Sequence, residues 1–297
     1  MAQGFEVVGV DDFNDYYDPA IKRANISQAL KDKRFTLVEA DIRDKKKMKK
    51  IFEENDIKKI IHLAARAGVR ASFEQAELYF NVNVLGTLNL LELANAYNIE
   101  QFIFASSSSV YGLNKPPFSE DQAIANIISP YAASKRSAEL LCQVYACSYS
   151  IPITCLRFFT VYGPRGRPDM AVYKFTDRIA KGLAIERYGK GDMQRDFTYV
   201  DDIIEGIMLA LEKPFDFEII NLGNNKPVQL NRLIELIEQN LGKKANIIEK
   251  PVPKGDVPIT YADISKAKRL LGWQPKTSIE KGIKRFVEWY KESKVKG

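Results

Sequence analysis

The stretch Phe104-Ala105-Ser106-Ser107-Ser108-Ser109-Val110-Tyr111-Gly112, with Pro130-Tyr131-Ala132-Ala133-Ser134-Lys135 downstream, decides the fold of this chain. The first segment reads as an apolar strand ending in a row of hydroxyls, and the second as the opening of a helix. Tyr131 and Lys135 are four apart, so they project from the same face of one helical turn. An ammonium beside a phenol favours the phenolate, so a tyrosine with an ordinary pKa of about 10 becomes a usable base near neutrality. A serine at the strand end can share a hydrogen bond with the same substrate oxygen. Such parts suit removal of a proton from a sugar alcohol while a hydride leaves its carbon. Tyr-x-x-x-Lys alone reads as an amphipathic helix with a solvated lysine; the serine run upstream turns the pair into chemistry.

Outward from these segments, the first half of the chain alternates short apolar runs with helical patterns. That is the pattern of a parallel sheet with crossover helices. Strands are expected over Glu6–Val10, Phe35–Glu39, Lys59–Leu63, Gln101–Ala105 and Pro152–Arg157. Helices are expected over Pro19–Lys31, Lys45–Asn55, Leu78–Tyr97 and Tyr131–Tyr149. From about Gly163 the pattern loosens into loops rich in Gly, Pro and Arg, with two later helices at Leu230–Leu241 and Ile279–Lys291. The expectation is an α/β chain: a doubly wound parallel sheet over residues 1–162 and a smaller α/β substrate region over 163–297, partly interwoven with it.

Polar and small residues stand where a dinucleotide would lie, at the carboxyl ends of successive strands. Asp11 follows Val7-Val8-Gly9-Val10 and is placed to accept hydrogen bonds from an adenosine ribose. Asp41-Ile42 can bracket the adenine, and Leu63-Ala64-Ala65 leaves room for backbone to approach a pyrophosphate. One part is missing. A dinucleotide fold opens with a strand, a glycine-rich turn and a helix whose N-terminus holds the pyrophosphate. Here Gly4 is the only glycine before Gly9, and no such turn lies upstream of Asp11. The chain therefore starts at what reads as the second strand, and a sheet without its central first member is expected to expose two edges.

Composition narrows the class. The 297 residues carry a net charge of +6, with 45% hydrophobic and 28% charged residues, ordinary for a globular chain with a sizeable core. No apolar run reaches membrane-spanning length and the start lacks a signal-peptide pattern, so a cytoplasmic location is expected and no membrane partner. The basic run Lys45-Lys46-Lys47-Met48-Lys49-Lys50 lacks interleaved aromatics and leads into Ile51-Phe52-Glu53-Glu54, which reads as a solvated helix face rather than a nucleic-acid site. Cys142, Cys147 and Cys155 have no metal-ligand spacing and read as core thiols, and no metal site is expected. His62 is the only histidine. With no nucleophile elbow to serve, it reads as a packed, hydrogen-bonded side chain.

At these residues the sequence resembles the extended short-chain dehydrogenase/reductase superfamily, specifically its NAD-dependent nucleotide-sugar epimerases, over essentially the whole chain. The resemblance implies a Rossmann-like sheet, NAD as cofactor, Ser107 as the hydroxyl assisting catalysis with Ser108 as its neighbour, and Tyr131 and Lys135 as the catalytic pair. Asn83, in Asn81-Val82-Asn83-Val84-Leu85-Gly86-Thr87, matches a cofactor-contact asparagine. The segment Arg157-Phe158-Phe159-Thr160-Val161-Tyr162-Gly163-Pro164-Arg165-Gly166-Arg167-Pro168-Asp169-Met170-Ala171 looks like the signature of UDP-glucuronate 4-epimerases, which implies Thr160 and Arg167 on the sugar carboxylate. Arg165 stands where those enzymes often have Trp. In Gln194-Arg195-Asp196-Phe197-Thr198-Tyr199-Val200-Asp201-Asp202 the resemblance puts Arg195 on the UDP diphosphate, and in Gly255-Asp256-Val257-Pro258 it faces Asp256 to the ribose. A homodimer paired through the helices near Leu78–Tyr97 and Tyr131–Tyr149 is implied as well.

The same resemblance separates related reactions. Sugar 4,6-dehydratases carry an Asp-Glu pair just after the catalytic hydroxyl residue, and decarboxylases a Glu two residues after it. Ser108 and Ser109 stand there in this chain, on the substrate side, and supply no carboxylate for elimination. A 4-keto uronate tends to lose CO₂ when the carboxylate bond aligns with the carbonyl, and an Arg fork with a Thr hydroxyl holds it out of line. The reading is epimerisation at C4 of a UDP-uronic acid. Its alternatives are a neutral-sugar 4-epimerase and a nucleotide-sugar-binding relative without turnover.

Overall fold

In the computed structural model, which describes residues 1, 3–253 and 255–295, strands and helices alternate through the first half. β1 (Val7–Asp11), α1 (Pro19–Ile26), β2 (Phe35–Glu39), α2 (Lys45–Glu54), β3 (Lys59–His62), α3 (Val69–Glu74), α4 (Ala76–Phe80), α5 (Gly86–Ala96), β4 (Gln101–Ser107), α6 (Pro130–Tyr149) and β5 (Ile153–Phe158) follow in order. The second half holds β6 (Thr160–Tyr162), α7 (Ala171–Ala180), β7 (Ile185–Tyr188), β8 (Gln194–Tyr199), α8 (Val200–Glu212), β9 (Phe217–Leu222), β10 (Pro227–Gln229), α9 (Leu230–Leu241), β11 (Ile247–Lys250), β12 (Ile259–Thr260), α10 (Ser265–Leu271) and α11 (Ile279–Val295). The helix expected over Leu78–Tyr97 is interrupted: α4 passes through a π-helical turn at Asn81–Leu85 into α5. The loop-rich reading after Gly163 is corrected, because α7, α8 and a set of short strands occupy that stretch. Those strands were illegible as sequence because most are two to four residues long, too short for a period to show.

Four strands form one parallel sheet in the order β3-β4-β5-β9. All seven residues of β4 are buried, so it reads as an apolar run rather than an alternating one. The two-residue period then divides the packing. Phe102, Phe104, Ile153 and Cys155 join Leu90, Leu91, Ala138 and Cys142 of α5 and α6 on one face. Ile103 and Leu156 turn to the other face, against Ile203 and Ile207 of α8 and Trp273. The sheet is thus covered on both sides, as a doubly wound fold requires. Register sets Ser106 opposite Arg157 and Ser107 opposite Phe158. Because β9 arrives from the second half to pair with β5, the two halves are interwoven.

β1 and β2 form a separate parallel pair. Among the described residues no strand joins β1 to β3, although Val8, Val10 and Ile60 pack against the same core. Among the described residues β1 and β3 each therefore present an unpaired edge, and Ile61 on β3 is 40% exposed.

In the smaller layer β8 is central, flanked by β10 and β12 and also paired with β6. Its core is built from Phe175, Leu233, Ile237, Ile283 and Phe286 on α7, α9 and α11. On α2 only Met48, Ile51 and Phe52 are buried. Its lysines face solvent and pair at i,i+4 with Glu53 and Glu54, so the basic run is a solvated helix face. Cys142 and Cys155 are buried but Cys147 is exposed, which corrects its reading as a core thiol. No helix among the described residues is long and apolar enough to cross a membrane.

Candidate active site

Ser129 caps α6 by accepting from the Ala132 amide at 3.2 Å, and Pro130 takes the first helical position. This start signal puts Tyr131 in the first turn, aimed back at the end of β4. There Ser107, the last residue of β4, accepts from the Ser109 amide at 3.2 Å, and its side chain acts on the Tyr131 phenol. Of the run, Ser107 is the serine that acts on the Tyr131 phenol, while Ser108 and Ser109 sit partly exposed in the following 3-10 turn. The phenol pKa is raised by burial; the Ser107 hydrogen bond and the Arg167 guanidinium pull the other way.

Lys135 lies one turn on, buried at 3% exposure. Its Nζ donates to the Ala105 carbonyl at 2.7 Å and lies 4.8 Å from the Phe104 ring centroid. Burial lowers its pKa to about 8, with Cys142, Glu139 and Cys155 acting against that fall. One donor of the Lys135 ammonium is thus committed to β4, while burial, Ser107 and Arg167 act on the Tyr131 phenol.

Around this trio most polar groups are paired, Arg157 Nη1 being a buried exception. Glu139, one turn beyond Lys135, accepts from Ser106 Oγ at 2.6 Å, from Arg157 Nε and Nη2 at 2.8 Å each, and from Arg136 Nη1 at 2.9 Å. Asn83 lies in the π-helical turn, a local distortion common at functional sites. Its amide accepts from Arg66 N at 2.8 Å and donates to Arg66 O and Ser134 Oγ at 2.9 Å each. It thereby ties the backbone after β3 to the catalytic helix. His62 Nε2 stands 2.9 Å from Thr87 Oγ1, which itself donates to Asn83 O at 2.6 Å. The packed, hydrogen-bonded histidine expected from sequence is what the structure holds.

The strand ends converge. Asp11, Asp41, Ile42, Leu63, Ala64 and Ala65 line one cleft of about 210 Å³ that reaches Arg167. Asp11 Oδ1 accepts from the Phe13 amide at 2.7 Å, and the Arg43 fork on Asp41 holds that carboxyl below its usual range. Thr160 opens β6, and Arg167 follows in the loop toward α7. Arg167 pairs with Asp169 and lies 5.2 Å from the Tyr16 ring centroid. Asp256 stands between two arginines: Arg70 Nη2 at 3.0 Å and Arg195 at 3.6 Å. Arg70 in turn lies 4.1 Å from the Tyr188 ring centroid. Tyr16, Arg70 and Tyr188 were not singled out from sequence; only the position of Arg70 shortly after a strand end offered a signal. Among the described residues no His, Cys, Asp or Glu cluster could hold a metal.

Comparison with known proteins places this geometry. The family described as GDP-mannose 4,6 dehydratase matches residues 1–286. A UDP-glucuronate 4-epimerase of Thermodesulfobacterium geofontis is 46% identical over 294 residues, covering 99% of this chain and 91% of that one. The crystal structure of a Bacillus cereus UDP-glucuronic acid 4-epimerase, in complex with UDP-glucuronic acid and NAD, superposes at a TM-score of 0.91 with 35% identity, covering 98% of this chain and 92% of that one. A UDP-glucose 4-epimerase of Thermotoga maritima, solved with UDP-glucose, superposes at 0.90 with 32% identity, covering 98% and 93%.

Proposed function

The chain belongs to the GDP-mannose 4,6 dehydratase family, and we propose that within it the chain is an NAD-dependent isomerase acting at C4 of a UDP-uronic acid, interconverting UDP-glucuronate and UDP-galacturonate. The observation that carries this reading is that Arg167 lines the same cleft as Asp11, Asp41, Ala64 and Ala65, while its charge, with Ser107, acts on the Tyr131 phenol. A guanidinium beside the base suits a sugar whose carboxylate stands one ring carbon from the reacting hydroxyl. Relatives and superposable structures that are UDP-glucuronate 4-epimerases support it.

The cofactor's ends fit the residues present. Asp11, with Asp41 and Ile42, suits the adenosine, Ala64 and Ala65 leave the cleft without bulky side chains, and Lys135 with Tyr131 suits the nicotinamide ribose. No glycine-rich turn among the described residues cradles the diphosphate, and none of these side chains is assigned to it. When bound, NAD⁺ accepts and returns the C4 hydride. Tyr131 removes the O4 proton and restores it, and Ser107 holds the same oxygen. Asn83 orders the backbone after β3 that borders the cleft. Thr160 and the Arg167 fork hold the carboxylate out of line with the C4 carbonyl, which suppresses loss of CO₂. Arg195 takes the UDP diphosphate, Asp256 the ribose, and Ser108 and Ser109 border the sugar. In this reading residues 1–162 carry the cofactor and 163–297 bind the nucleotide sugar.

We place the enzyme in the cytoplasm as a homodimer. The free, exposed Cys147 suits a reducing compartment. Leu140 and Val144 on α6 and Leu85 before α5 are exposed at 47%, 53% and 51%, an apolar row suited to a second copy; light scattering tests it. Incubation with UDP-glucuronate and NAD⁺, with products resolved by chromatography, is expected to yield UDP-galacturonate. UDP-xylose or a 4-keto pentose as the main product sinks the reading.

A further inference from the structure

The loop from Gly163 to Asp169 carries the guanidinium assigned to the substrate, and that guanidinium grips a carboxylate of its own loop. Arg167 Nε donates to Asp169 Oδ1 at 3.0 Å and Nη2 to Oδ2 at 2.6 Å. This is a two-pronged fork on a carboxylate, the same geometry a uronate C6 carboxylate would use. The loop itself is held in place. Asn25 Nδ2 reaches the Arg165 carbonyl at 3.3 Å, and Arg165 is in the left-handed region at φ 63°. The Tyr16 ring lies beneath the guanidinium. Gly68 closes the other side: a Cβ there would stand 2.8 Å from the Tyr16 hydroxyl and 3.8 Å from Arg167 Nη2.

We propose that Asp169 is an internal counter-ion occupying the carboxylate subsite of Arg167, so that a uronate binds by displacing it and Asp169 sets the preference between charged and neutral sugars. The inference rests on the assignment of Arg167 to the sugar carboxylate. It follows from geometry and competition: Asp169 holds the Nε–Nη2 edge of the guanidinium, so a carboxylate that uses that edge must displace it. The Asp169 side chain is 40% exposed and that of Arg167 26%, so the pair can part into solvent. A half-exposed pair is weak, so displacement costs a uronate a small factor rather than its binding. A neutral hexose leaves the pair intact and incurs no such cost.

The test is calorimetric titration of the wild-type chain, Asp169→Asn and Arg167→Met with UDP-glucuronate and with UDP-glucose. Asp169→Asn is expected to tighten UDP-glucuronate by about two- to fivefold, the range that exposed-pair energies imply, and to leave UDP-glucose within its wild-type value. Unchanged or weaker UDP-glucuronate binding in Asp169→Asn, with Arg167→Met still selectively weakening it, overturns the counter-ion role alone. If Arg167→Met leaves the ratio of the two affinities unchanged, or if neither ligand binds the wild-type chain, the carboxylate assignment fails and the proposal with it. A charge-retaining Asp169→Glu separates competition from loop damage: it is expected to keep the wild-type ratio, and a ratio like that of Asp169→Asn overturns the proposal.

Discussion

Lys135 donates from Nζ to the carbonyl oxygen of Ala105 at 2.7 Å. The helix α6 is thereby pinned to the strand whose end presents Ser107, two residues further on. The contact is directional, buried and charge-assisted, so it acts on the placement of Tyr131 relative to Ser107.

Replacing the base is the direct check of that arrangement. Tyr131→Phe is expected to lower turnover by at least about 10²-fold, the size of a positioned general base, while UDP-sugar affinity stays near wild type by calorimetry. Wild-type turnover in this variant would remove Tyr131 from the chemistry.

Thr160 and Arg167 are assigned to the uronate carboxylate, so weakening that grip alters the product as well as the rate. Thr160→Val is expected to raise the fraction of decarboxylated, 4-keto pentose product detected by mass spectrometry. An unchanged product ratio with lower rate assigns Thr160 to binding only.

Glu139 and Arg157 are 0% and 1% exposed at the side chain. Glu139→Gln leaves the guanidinium charge buried without compensation, and a loss of about 3–5 kcal/mol in unfolding free energy is expected. Arg157→Met combined with Glu139→Gln is expected to recover most of it. Denaturant midpoints measure both, and a double variant as unstable as the single one contradicts the charge argument.

His62 governs part of the acid limb of stability. Burial pushes its pKa from 6.5 to about 3, and Lys135 adds to the fall. Between those values the unfolded chain binds a proton that the folded chain refuses. The stability from this site is therefore whole above pH 6.5 and is lost as pH falls toward 3. Asp196 acts oppositely: burial raises its pKa from 3.8 to about 6, so the folded chain binds the extra proton there. His62→Gln is expected to lose less stability than wild type between neutral and acid pH in urea titrations. Equal losses would assign the acid limb to other groups.

Exposed sheet edges favour association. Ile61, 40% exposed on β3, is the substitution point: Ile61→Lys is expected to reduce concentration-dependent light scattering of the isolated chain. Scattering unchanged by the lysine would place the contact elsewhere.

The local patterns were legible because they need only a period and a cap. Four-residue spacing sets Tyr131 and Lys135 on one face, Pro130 opens the helix that carries them, and an apolar run ending in serines makes a buried strand with Ser107 at its tip. The same reading located Asp11, Asp41, Leu63, Ala64 and Ala65 at successive strand ends, which the β1-β2 pair and the β3-β4-β5-β9 sheet together bring to one cleft. The short strands of the second half carried no such period. Contacts between distant segments depend on register and packing, so only the folded chain decided them. It set the Lys135 ammonium against the Ala105 carbonyl and Arg157 opposite Ser106, so that Ser106 and Arg157 both reach Glu139. It also brought Arg70 onto Asp256 across 186 residues and closed Arg167 on Asp169, a carboxylate two residues away, rather than leaving it open.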